Sequence, residues 1–99
     1  MRSTVHDSSR LEVVLGGELG MAAAFQLEPE LDRLLAAPGV LAVVLDLADI
    51  GFVDSTGLGA LLSIKDRATQ FEIEFKIGRA SAAVERILEL TGTRSVLGG

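Results

Sequence analysis

The chain has 99 residues, 48% of them apolar and 23% charged, which is material for one globular core, and a single domain over residues 1–99 is expected. It has no cysteine and one histidine, which excludes a disulfide framework and a cysteine or multi-histidine metal centre, and a formal charge of −5 argues against direct nucleic-acid binding. No run reaches the ~20 apolar residues of a membrane span, and no signal-peptide core follows Met1-Arg2-Ser3-Thr4, so a cytoplasmic protein without membrane insertion is expected.

Leu11-Glu12-Val13-Val14-Leu15 lies between the polar cluster Asp7-Ser8-Ser9-Arg10 and Gly16-Gly17 and predicts a strand. Ser3 to His6 predicts its hairpin partner, with His6 as a strand-edge side chain. From Met21 to Ala37, Leu27, Leu31, Leu34 and Leu35 recur at helical spacing opposite Glu28, Glu30, Asp32 and Arg33. That amphipathic helix is expected to begin near Glu28-Pro29 or to kink there, because proline lacks an amide hydrogen and crowds the preceding turn. After Pro38-Gly39, the run from Val40 to Leu45 has no polar face and predicts a central strand covered on both sides.

Asp46 to Asp54 is then expected to be a loop, and Leu58, Leu61, Leu62 and Ala68 mark the core face of a second helix reaching about Thr69. Ile73-Glu74-Phe75-Lys76-Ile77 alternates as a strand that ends at Gly78. Ser81 is expected to cap a third helix carrying Val84, Ile87 and Leu88, with Gly92 ending it in a left-handed conformation and Arg94 to Leu97 adding a short strand. Right-handed crossovers then give an α/β fold, a mixed sheet that is mostly parallel after an N-terminal hairpin and is packed with about three helices.

One segment concentrates chemistry. Asp54-Ser55-Thr56-Gly57-Leu58-Gly59 lies where a loop enters a helix, so free amides and the positive helix end converge on two hydroxyls. Spacing alone also fits a plain helix cap at Asp54 or Ser55, with glycines that allow close packing. A phosphate-binding loop is excluded, because no lysine follows these glycines before Lys65. Ser55 has no base to make it a nucleophile, since the one histidine lies far upstream. Asp46 and Asp54 read as solvated loop carboxylates rather than an acid–base pair. With no Trp or Tyr and four Phe, a base-stacking surface is disfavoured as well. No catalytic residue, metal or cofactor is expected, and the chain reads as a docking protein rather than an enzyme.

The run from Leu45 to Leu62, which includes Asp46-Leu47-Ala48-Asp49-Ile50-Gly51-Phe52-Val53 ahead of Asp54-Ser55-Thr56-Gly57, resembles the signature of STAS domains, specifically the anti-sigma-factor antagonists. Gly17-Glu18-Leu19 resembles that family's Gly-Glu-Leu-Asp element, and Ile87-Leu88-Glu89-Leu90-Thr91-Gly92 is similar to its late helix ending, so the likeness spans about residues 11–97. It implies a STAS-like fold. It implies phosphorylation of Ser55, or alternatively Thr56, by a partner that is both anti-sigma factor and serine/threonine kinase and that itself binds the ATP, with a phosphatase to reverse it. It also implies that the unmodified form binds this partner and frees a sigma factor.

The docking surface implied comprises Asp54, Ser55, Thr56, Gly57 and Leu58, though a leucine in a first helical turn fits the core equally well. Phe52 and Val53 read as core or loop anchors, and Arg79 as an ordinary exposed arginine. The sequence departs from the family where Gly20 stands in place of an aspartate, followed by Met21-Ala22-Ala23, and a further C-terminal helix of the family is expected to be absent or supplied by a partner. The alternative within the same resemblance is a regulatory STAS subunit that docks on the ATPase of an ABC-type transporter.

Overall fold

The structure, a computed structural model, describes residues 2–5 and 9–97. His6 lies outside the described residues. Strand β1 (Arg2–Val5) pairs antiparallel with β2 (Arg10–Leu19), followed by α1 (Met21–Leu35), β3 (Ala42–Val53), α2 (Ser55–Gln70), β4 (Glu74–Ala80) and α3 (Ala82–Thr91). The sheet order is β1-β2-β3-β4, with β2, β3 and β4 mutually parallel. The N-terminal hairpin, the parallel remainder and three helices are as the residue pattern predicts.

Register decides which side chains meet. Leu11, Val13 and Leu15 of β2 share one face with Val43, Leu45 and Leu47 of β3 and with Phe75 and Ile77 of β4. These residues form one buried cluster with Leu27 and Leu31 of α1, Leu61 and Ile64 of α2, and Val84 and Leu88 of α3. All three helices therefore cover the same face. The expectation of a central strand covered on both sides is corrected: Val44 and Asp46 point away from the helices, between Glu12 and Val14 of β2 and Lys76 of β4. Val44 is buried among those strand neighbours, close enough to Gly78 that a Cβ there would come within 2.9 Å of it. Val40 and Leu41 precede the strand, with Leu41 64% exposed, and Val44 is apolar because it is crowded within the sheet, which sequence does not distinguish from a second helix layer.

The predicted loop 46–54 is also corrected, because β3 continues to Val53. Two register shifts against β2, between Val14 and Gly16 and between Gly17 and Glu18, each place an extra residue in β3. Gly17, at φ +86°, sits between the two shifts in a backbone region that side chains rarely enter. β4 leaves the ladder at Ala80, opposite Leu47, so beyond that point β2 and β3 run on as a parallel ribbon. Leu19 and Ile50 pin this ribbon to the core, each 2% exposed.

α1 begins at Met21 and passes through Pro29 rather than starting at it. Ser81 Oγ accepts from Val84 N–H at 3.3 Å, and Gly92, at φ 67°, ends α3 as expected. Arg94 to Leu97 forms a turn instead of a strand, with Leu97 fully buried in the core. One apolar anchor was enough to make that tail resemble a strand.

Candidate functional site

The ribbon delivers the starts of α1 and α2 to one pole of the molecule. Asp54 N–H donates to Leu19 O at 3.4 Å, so the last residues of β2 and β3 stay side by side as each chain turns into its helix. Asp54 is the N-cap of α2, its Oδ1 accepting from Gly57 N–H at 2.9 Å while its carbonyl accepts from Leu58 N–H at 3.0 Å. Gly57 is required for a different reason. A Cβ on it would lie 2.0 Å from Leu19 O, so only glycine lets the first turn of α2 rest on the end of β2.

Ser55 and Thr56, the first two residues of α2, are exposed. Neither lies under a neighbouring segment, and the two residues that fix their position, Asp54 and Gly57, are themselves held by backbone contacts. Leu58 resolves to the core at 6% exposure, which removes it from the expected docking surface. Gly57, buried against Leu19, shapes the surface and does not present itself on it. Asp54, Ser55 and Thr56 remain as the accessible part.

Residues that the sequence analysis did not place on the docking surface complete the pole. Phe52, expected as an anchor, is 49% exposed, and Met21 and Phe25 on α1 are 62% and 76% exposed. Met21 and Phe25 border a groove between the helices together with Thr56 and Gly59, while Gly20, Met21, Phe52 and Asp54 border a second one. The signal for Phe25 was available: it falls outside the Leu27, Leu31, Leu35 stripe. Gly20 caps α1 without a side-chain hydrogen bond, and a Cβ on it would stand 3.2 Å from Asp54 Oδ2.

Asp46 and Arg79 are placed elsewhere, on the helix-free face. Asp46 is 5% exposed, which corrects its expected place in a solvated loop. Its Oδ2 accepts from Arg79 Nε at 2.9 Å and from Nη2, and its Oδ1 accepts from Ala48 N–H at 3.1 Å. Arg79 sits where β4 gains an extra residue against β3, and although its side chain is 77% exposed it is committed to this carboxylate. The guanidinium bonds, and after them the Ala48 amide, hold the Asp46 carboxyl below its ordinary range against the opposing effect of burial. Asp46 and Asp54 are thus separately engaged and do not form an acid–base pair. Among the described residues no group of three or more acidic, histidine or cysteine side chains is arranged to hold a metal ion, and no helix is long and apolar enough to cross a membrane.

The STAS domain family model matches residues 2–97. This chain belongs to the STAS domain family. The anti-sigma-B factor antagonist of Staphylococcus aureus (strain NCTC 8325 / PS 47) is 29% identical over 89 residues, covering 87% of this chain and 79% of that protein. A protein of the same name from Listeria monocytogenes is 23% identical over 91 residues, covering 92% and 79%. Among solved structures, the anti-sigma factor antagonist SpoIIAA in its unphosphorylated form superposes with a TM-score of 0.81 at 17% identity, over 95% of this chain and 82% of that one. Phosphorylated Bacillus SpoIIAA gives 0.73 at 16% identity, over 92% and 82%. The STAS fold follows from these likenesses, and the hydroxyl-bearing pole is the feature of this STAS domain that its own geometry singles out.

Proposed function

We propose that this STAS domain, comprising residues 1–99, is a non-enzymatic anti-sigma-factor antagonist of the cytoplasm. Unmodified, it binds an anti-sigma factor with serine/threonine kinase activity and so releases a sigma factor; phosphorylation of Ser55, with Thr56 as alternate acceptor, switches it off. The names of the Staphylococcus and Listeria relatives support the antagonist role. The observation that carries the switch is the exposure of two hydroxyls on a helix start that is otherwise locked by Asp54 and Gly57.

In the transfer, the hydroxyl oxygen of Ser55 attacks the γ-phosphorus of ATP held by the kinase, the bond from that phosphorus to the bridging oxygen breaks, and ADP leaves. The hydroxyl proton passes to a base of the kinase, because Asp54 is occupied in capping α2. The product carries about −1.5 to −2 charges at the positive end of α2, which tolerates an anion there while the docking surface is altered. A loss of ~1.4 kcal/mol in docking is already a tenfold weaker complex. A phosphatase restores the hydroxyl.

The test is to incubate wild type, Ser55→Ala and Thr56→Ala with the purified kinase-type anti-sigma factor of the source organism and ATP, then map phosphate by mass spectrometry and measure binding. Phosphate on Ser55 and ATP-resistant binding by Ser55→Ala alone are expected. Equal modification and release of Ser55→Ala would transfer the role to Thr56 or remove it. Binding instead to an ABC-type ATPase, indifferent to both hydroxyls, would replace this reading with the transport one.

A further inference from the structure

The pole around Ser55 combines two properties. Met21, Phe25 and Phe52 expose apolar surface beside Thr56 and Asp54, and the chain around them is nearly free of positive charge. Between Leu11 and Ile64 the sequence carries one cation, Arg33, against eight carboxylates, and Arg33 lies in the last turn of α1, away from the pole. Glu18, Glu30 and Asp54 border the grooves around the two helix starts, whereas no Lys or Arg lines them. Glu28, also on a groove wall, lies 4.0 Å from Arg67.

Resting on the antagonist reading, we infer that the Met21–Phe25 ridge of α1, with Phe52, is the part of the docking surface that selects the partner, and that it fits an anti-sigma factor presenting an apolar pocket edged by arginine or lysine. Met21 and Phe25 are four residues apart, so they stand one above the other on the same helix face and offer a continuous apolar ridge. Gly20 keeps the entrance to that ridge low, since any side chain there crowds Asp54. A rim with Glu18, Glu30 and Asp54 and, among the described residues, no lysine or arginine lining the grooves matches a basic partner and discourages an acidic one.

This surface also determines how the switch acts. A basic partner rim attracts a phosphoryl group, so repulsion between like charges does not explain release. Thr56 lines the same groove as Met21 and Phe25, and Ser55 is its chain neighbour, so a phosphoryl group on either hydroxyl adds a strongly hydrated group in or beside the groove from which docking must expel water. Release then comes from the unfavourable dehydration of the modified group.

The measurement is the Kd for the same purified anti-sigma factor by calorimetry, using wild type, a Met21→Ser/Phe25→Ser double variant, and Phe71→Ser. Phe71 is 57% exposed at the C-terminal end of α2 and serves as an equally apolar control far from the hydroxyls. The double variant should bind about 100-fold more weakly with an unchanged melting temperature, Phe71→Ser within about twofold of wild type, and the wild-type complex should weaken about tenfold between low and high salt. Wild-type affinity in the double variant, with release by ATP intact, would overturn the inference and leave the antagonist reading standing. An equal loss in Phe71→Ser, or a salt-indifferent complex, would overturn it too. No binding by wild type would overturn the antagonist reading itself.

Discussion

Two helix starts lie side by side at the same pole, and they are built in opposite ways. α2 begins with a carboxylate cap, a glycine pressed onto the preceding strand and two presented hydroxyls. α1 begins at a glycine that makes no side-chain cap and continues into exposed apolar residues. The positive end of α2 is met by the Asp54 carboxylate, whereas that of α1, with a glycine cap and no acidic residue in its first turn, has no such group from its own first turn. On the proposed reading, the contrast separates two requirements of a switch, a modification point held in fixed geometry and a neighbouring surface open to docking.

Gly57→Ala should break the comparison most severely. The added methyl has to displace the carbonyl of Leu19, and a loss of about 3 kcal/mol on the scale of overpacked cores is expected in denaturant titration, with lost partner binding as α2 shifts. Gly59→Ala, two residues on and with open space around it, should instead gain about 0.8 kcal/mol from helix propensity in the same titration. Asp54→Ala should come next, with a loss of about 1 kcal/mol from the missing cap and frayed amides at Ser55 and Thr56 visible by NMR. Gly20→Ser tests the other start. It should change thermal stability by only a few tenths of a kcal/mol, because serine and glycine differ little as caps and the new Cβ is crowded by Asp54, while altering partner affinity.

The smallest effect lies away from both starts. The Asp46 carboxyl is held below its ordinary value of 3.8, so the stability it contributes is present above that value and lost as pH falls through the lower folded-state one. Asp46→Asn should therefore flatten the decline of stability on the acid side of pH 3.8 and leave switching at Ser55 unchanged, as acid unfolding followed by circular dichroism would register.

Elements whose pattern arises locally were legible in the sequence. Ser81 and Gly92 bracket α3 because a cap and a left-handed stop depend on a few residues, and the stripe from Leu27 to Leu35 reports the buried face of α1 directly. The family was legible by resemblance, on the run from Leu45 to Leu62. What escaped was non-local. The extension of β3 through Ala48-Asp49-Ile50-Gly51 depends on pairing with a β2 that bends at Gly17, and the burial of Asp46 depends on an arginine thirty-three residues later. Leu58 and Phe52 were settled by the same non-local contact: with Gly57 resting on Leu19, Leu58 turns into the core, and Phe52 is left outside on the ribbon.

That ribbon has a thermodynamic consequence. From Ala48 to Val53, β3 has β2 as its ladder partner among the described residues, while Val43 to Leu45 is paired on both sides. The platform under the hydroxyls therefore has fewer ladder hydrogen bonds holding it than the four-stranded part, and rests on the burial of Leu19 and Ile50. Amides from Ala48 to Val53 are accordingly expected to exchange with solvent at a lower free energy than those from Val43 to Leu45.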